Sequence, residues 1–203
     1  MPGRLFLTSP IEAVAKALDV PLSLADPEPP RRNIAPGEQV VALSEHGLSH
    51  YRWGIIPVGR VNARGRPVME TIINARSETV FDKTAFEGVG RAVVPVNGWY
   101  EWTGEKRRKT AWEISHKSQE FLFFAAITDV WEAPGGLKVP QIATVTCPPN
   151  ADVEPIHHRM GVLLDPIQIG TWLGDDEAAA RALMRPYPEG CLQIKQADPS
   201  HFA

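Results

Sequence analysis

The sequence predicts an α+β fold, an antiparallel β-sheet with several short helices around it. Runs of β-branched and aromatic residues recur at 40–44, 48–53, 71–74, 91–96, 111–115, 121–131, 141–147, 161–164 and 192–195, separated by turn formers. Strand does not alternate with helix, and no Gly-rich phosphate loop follows a strand, which argues against a nucleotide-binding parallel sheet. Proline supplies 19 of 203 residues, about 9% against an average near 5%, as suits a chain of short elements and ordered turns. The length fits one domain, 1–203, with a substantial core.

Composition narrows the function classes. A formal charge of -3 gives no general pull toward nucleic acid, so DNA contacts would have to come from locally placed arginines. The two cysteines, Cys147 and Cys191, lack CxxC spacing and sit in strand-like surroundings, which disfavours a disulfide framework or a zinc site and suits a reducing cytoplasm. No signal-peptide pattern follows Arg4, and no apolar run approaches the roughly 20 residues of a membrane helix.

Along the chain, residues 1–8 read as an extended lead-in. Ser9-Pro10-Ile11-Glu12 reads as a capping box opening a helix with the apolar face Ile11, Val14, Ala15 and Leu18, which must end before Pro21. Residues 21–37 are expected to be a Pro-rich loop. Glu45-His46-Gly47 should form a three-residue hairpin loop with Gly in the left-handed position. A polar loop at 58–67 carries Arg60, Arg64 and Arg66, and a helix is expected over 80–86. Lys106-Arg107-Arg108-Lys109 falls in a hairpin tip at 103–109. Two short helices are expected at 166–173 and 175–184, and the last eight or so residues as a loose tail.

The chemistry-bearing stretch is Pro95-Val96-Asn97-Gly98-Trp99-Tyr100-Glu101-Trp102. Gly98 lets the backbone turn. Alternation then sets Trp99 and Glu101 on one face and Tyr100 and Trp102 on the other. A carboxylate among aromatic rings is disfavoured as an anion, so its pKa should rise toward the range useful for proton transfer. A Glu at a strand end paired to an Arg is the plainer alternative. Asn74 and Arg76, two apart at a strand end, can point the same way, as an orienting amide and an anion clamp. Of the adjacent His157 and His158, one can point inward as acid or base and one outward, and no HExxH pattern suggests a metal.

These pieces form an ordered set: Asn33-Ile34-Ala35-Pro36, Trp53-Gly54-Ile55-Ile56-Pro57, Ile73 to Thr79, Val94 to Trp102 and Ile156-His157-His158-Arg159-Met160. In this the chain resembles the SOS response-associated peptidase (SRAP) family, over residues 1 to about 195. The resemblance implies that the sheet curls into a barrel and that the protein caps abasic sites in single-stranded DNA. In the family, initiator Met is removed and Cys at residue 2 closes a thiazolidine with the abasic sugar aldehyde. The resemblance maps catalytic roles onto Asn74, Glu101 and His157, phosphate contacts onto Arg4, Arg76 and Arg159, and the DNA path onto Pro36 and Trp53. It implies no cofactor and no metal, a monomer, and a cytoplasmic, nucleoid-associated location.

This chain departs from the family where the chemistry begins. It reads Met1-Pro2-Gly3-Arg4, so no thiol is available and no thiazolidine can form. Val58-Gly59 also follows Pro57 where relatives commonly carry another Trp. With Met1 removed, Pro2 would be a secondary amine able to form an iminium ion with the aldehyde, giving a reversible Schiff base or strand cleavage by β-elimination. The competing expectation is a single-stranded DNA binder with impaired catalysis. Peptidase activity is disfavoured by the lack of a nucleophile–base pair, and Cys147 as substitute nucleophile by its strand-end setting.

Overall fold

In the computed structural model, the described residues are 2–22, 27–57, 59, 64–66, 70–83, 86–105, 108–132 and 134–202. Among them the strands make two sheets. In the first, β3 (Gln39–Ser44), β4 (Gly47–Trp53), β6 (Gly90–Val96), β9 (Leu122–Glu132) and β10 (Lys138–Cys147) pair in the ring β10-β4-β3-β6-β9 and back to β10, a closed barrel. Closure removes free edges, which suits the continuous apolar run Leu122 to Ile127 of β9, buried throughout. The short strands β5 (Asn74–Arg76), β11 (Met160–Gly161) and β12 (Leu163–Leu164) add to β10, β10 and β9 respectively. The second sheet is open, in the order β13 (Leu192–Gln196), β8 (Thr110–His116), β7 (Gly98–Thr103), β1 (Arg4–Leu7), β2 (Arg31–Ile34). Helices α1 (Ile11–Leu18), α2 (Ile169–Leu173) and α3 (Glu177–Leu183) pack outside.

The expected α+β, barrel-like architecture is the one observed, with local corrections. The barrel is not wholly antiparallel, because β10 runs parallel to both β4 and β5. Part of the 21–37 stretch is strand β2, drawn into extended form by pairing with β1 rather than by its own composition. No capping box opens α1; Ser9 Oγ instead donates to Glu120 and accepts from Asn97. Ser44 pairs with Gly47, so the hairpin loop has two residues, and Gly47 keeps the expected positive φ of 96°. Among the described residues of 80–86 the backbone forms turns, not an α-helix. The tail is not loose: Pro199–Phe202 forms a 3-10 turn whose Phe202 ring lies 4.8 Å from Tyr100 and 5.6 Å from Trp102. Arg60, Val58, and Lys106 and Arg107 of the tip lie outside the described residues.

Asn97, between β6 and β7, ties the two sheets together. Its Oδ1 accepts from the backbone N–H groups of Thr8 (2.6 Å) and Ser9 (3.0 Å), and its Nδ2 donates to Glu120 O at 2.9 Å. One side chain thereby fixes where β1 ends and where β9 begins. Gly98 is needed for closeness rather than for turning: an added Cβ would stand 2.2 Å from Ile114 O and 2.5 Å from the Phe6 ring. Gly98→Ala is therefore expected to lower unfolding stability by about 1–3 kcal/mol in denaturant titration, the usual cost of overpacking.

Candidate functional site

β1 pairs with β7 in a register that sets Arg4 opposite Tyr100, Leu5 opposite Trp99 and Phe6 opposite Gly98. Residues just before Arg4 therefore run toward Glu101. Pro2 is buried, and its carbonyl accepts a hydrogen bond from Asn74 Nδ2 at 3.1 Å. Across the parallel β5–β10 pair, Asn74 sits opposite Thr144, whose hydroxyl donates to Asn74 Oδ1. Only the amide nitrogen can donate to a carbonyl, so this pair of bonds sets the amide's orientation.

Glu101 is 3% exposed on β7. Burial pushes its pKa up to about 7, against the opposing pull of the amino-terminal charge and the Trp99 indole N–H. β7 alternates as expected: Trp99 packs edge-on against Phe124 of the barrel, while Tyr100 and Trp102 face the tail. His157 is half-buried and His158 exposed, with their rings stacked at 4.4 Å. His157 Nδ1 lies 3.0 Å from Arg159 N and 3.1 Å from Arg159 O, leaving Nε2 as the nitrogen not engaged by Arg159. Burial pushes its pKa down to about 4, helped by the amino-terminal charge, so the ring is neutral at pH 7. Glu101 and His157 come from elements 56 residues apart, yet both respond to the same terminal charge.

The expected DNA-contacting residues separate into two groups. Arg76 is exposed at the end of β5, Pro36 is half-buried, and half-buried Arg4 donates to Gly3 O at 2.9 Å. Trp53 and Arg159 depart from the expectation. Trp53 is fully buried and donates its indole N–H to Ile73 O at 3.1 Å, so it fills the core and presents no face to a base. Arg159 is buried, and its guanidinium grips the Glu78 carboxylate through both Nη1 and Nη2 while also donating to Thr146 O. A phosphate there would have to displace Glu78. Sequence reasoning passed over Thr144 and Glu78 as partners because both contacts span some 70 to 80 residues of chain. The hint lay in Thr144 and Thr146 recurring on one face of β10.

Cys147 is packing, its thiol buried and pushed up to about 12, far from the reactive thiolate range. Among the described residues no group of three or more His, Cys, Asp or Glu side chains converges on a common point. Likewise, no helix among them is long and apolar enough to cross a membrane. The arrangement that remains is an anchored backbone at residue 2, an acid poised near neutrality and a neutral imidazole. It suits proton transfer at the chain's own amino end.

Two pH dependences follow. The folded pKa of Glu101 is raised, so the folded state holds its proton longer, and stability falls as pH rises from the ordinary 4.5 to about 7. Glu101→Gln should flatten that slope and leave the variant more stable than wild type at pH 8, by at most ~3 kcal/mol in urea titrations. Glu78 behaves oppositely: Arg159 holds it down at about 2, so the pair's contribution is complete above 4.5 and is lost as pH falls through about 2. Because the Glu78 side chain is 48% exposed, Glu78→Gln should cost only about 1–2 kcal/mol at pH 7, and this difference should shrink in acid.

Comparison with known proteins places the chain in a family. The model of the family described as SOS response associated peptidase (SRAP) matches residues 1–200. Abasic site processing protein YoqW of Bacillus subtilis (strain 168) is 29% identical, over 97% of this chain and 92% of its own length. Abasic site processing protein YedK of Escherichia coli (strain K12) is also 29% identical, over 84% of this chain and 77% of its own. A solved structure of a Bacteroides thetaiotaomicron protein superposes with a TM-score of 0.84 at 19% identity, covering 97% of this chain and 92% of that one, and so shares its fold. The chain belongs to the SOS response-associated peptidase family.

Proposed function

We propose that this protein processes abasic sites in single-stranded DNA through its amino-terminal amine, which attacks the ring-opened sugar aldehyde. The observation that carries the proposal is the buried, Asn74-anchored Pro2 carbonyl just before β1, where the β1–β7 register directs the chain toward Glu101, an acid with a pKa near 7. Once Met1 is removed, the Pro2 nitrogen is a secondary amine, and amines of chain termini have ordinary pKa values near 8. Its lone pair adds to the aldehyde carbon, and the nitrogen gives up its proton to give a neutral carbinolamine. Protonated Glu101 donates to the carbinolamine hydroxyl, which departs as water and leaves an iminium ion. The iminium carries its charge at any pH because its nitrogen holds no proton to lose.

Two outcomes are open to the iminium. Water can add back and release the aldehyde, giving a reversible shield over the lesion. Alternatively a base, the Glu101 carboxylate or neutral His157, removes a proton from the adjacent sugar carbon and the 3′ phosphate departs, cutting the strand. Arg4 and Arg76 are the phosphate contacts in this proposal. Neither outcome uses a thiol, in contrast to the crosslink implied by family resemblance.

Borohydride delivers hydride to an iminium and makes the linkage permanent, so Met-free protein incubated with an abasic oligonucleotide should gain one covalent strand by intact-mass spectrometry. If it gains none, the amine chemistry is excluded. Glu101→Gln should slow trapping by roughly 10²–10⁴-fold while affinity for the strand is nearly unchanged. Equal trapping rates would favour a DNA binder without a proton shuttle. Pro2→Cys should give an adduct that survives without borohydride, since sulfur can then close the five-membered ring.

A further inference from the structure

A groove of about 450 Å³ lies among Arg4, Asn33, Trp102, Lys109 and Phe202. It opens on the face of β7 opposite to Glu101, because strand alternation sends Trp102 the other way. Three features of its lining point to one kind of ligand. Trp102 and Phe202 meet at 56° with their centroids 5.6 Å apart, forming an aromatic corner. Arg4 and Lys109 supply two cations, and among the described residues that line the groove there is no carboxylate. The side-chain oxygen of Asn33 is buried and has no hydrogen-bond partner among the described residues. An unsatisfied buried acceptor is costly and is relieved by a ligand that brings a donor.

Phe202 belongs to a built wall rather than a frayed chain end. His201 Nδ1 lies 3.1 Å from the Tyr100 hydroxyl and 3.7 Å from the buried Glu113 carboxylate. Ala197 N donates to Ala111 O at 2.9 Å, so the tail is tied to β8 before the 3-10 turn begins. Elsewhere the surface offers a comparable hollow among Glu45, Glu87, Arg91, Asp175 and Glu177, whose carboxylates would repel a phosphate. Charge separates the two hollows by the ligand each can take.

We propose that the Trp102–Phe202 groove binds one nucleotide of the single strand that flanks the abasic site, which rests on the DNA-processing role proposed above. The base stacks in the aromatic corner, an N–H on its edge donates to Asn33, and its phosphate meets Lys109 and Arg4. Because Arg4 starts β1, the strand reaches the groove by passing around the amino-terminal end of that strand. The DNA is thereby bent across the edge of the sheet, with the sugar aldehyde on one side and the stacked neighbour on the other.

The test is fluorescence anisotropy of the full chain with labelled single strands carrying one tetrahydrofuran abasic mimic, which cannot react. A second mimic then replaces each flanking nucleotide in turn. Wild type should lose about fivefold or more in affinity at one flanking position, the lower end of what one base–aromatic stack is worth. Phe202→Ala should lose a similar factor on the intact strand and be indifferent to the second mimic at that position. Lys109→Glu, at an exposed site, should weaken every strand alike and reduce the salt slope by about 1. A flat wild-type profile, or wild-type affinity in Phe202→Ala, overturns the groove while leaving the abasic-site proposal standing. No affinity of wild type for any single strand sinks both.

Discussion

The pairing of β1 with β7 is the constraint on which the rest of the molecule depends. It joins the first strand of the chain to one a hundred residues later, and it does so in a register fixed by neighbours that admit no slip. Gly98 must lie under Phe6 and against Ile114 O, and Asn97 must receive the N–H groups of Thr8 and Ser9. A slip of one residue would turn Leu5 outward and Phe6 inward, exchanging the faces of the whole strand. The amino end is thus aimed by backbone pairing, and its position does not depend on any side chain at residue 2. This explains how a chain with Pro in place of the family's Cys can retain an ordered site around it.

Electrostatically the site separates two titrations. Burial moves Glu101 up and His157 down, so between about pH 4 and 7 the first holds a proton and the second does not. In water the order would be reversed, with a charged carboxylate beside a charged imidazole near pH 5.5. Desolvation, helped at His157 by the amino-terminal charge, therefore yields a neutral acid and a neutral base, without a buried charge on either. Arg159 and Glu78, in contrast, remain ionised and neutralise one another beneath the His157 turn, where their bidentate pair supports the backbone that holds the imidazole.

Much of this was legible in the sequence. The aromatic setting of Glu101, the alternation of 99–102 and the shared face of Asn74 and Arg76 are local properties, and local patterns carry them. What could not be read was long-range. β2 is a strand because β1 lies beside it, and nothing in the surrounding Pro-rich run announces that. The parallel closure of β10 on β4 and β5, the Glu78–Arg159 pair and the docking of Phe202 on Trp102 each join residues far apart in the chain. Only the family resemblance assigns Trp53 to the DNA path, yet it pairs with Ile142 and is fully buried, so its ring belongs to the core.

The order of synthesis gives the buried Pro2 a further significance. The amino end leaves the ribosome first, but the residues that enclose it, at positions 74, 101 and 157, follow much later. At about 5–20 residues per second, some 5 to 20 seconds pass before the hundredth residue is made. During that interval the Met1–Pro2 bond is open to an aminopeptidase, whereas in the folded chain Pro2 is buried. For the amine chemistry proposed above, a chain that folds with Met1 attached holds Pro2 as an amide nitrogen, so the timing of trimming against folding sets what share of molecules carries the secondary amine.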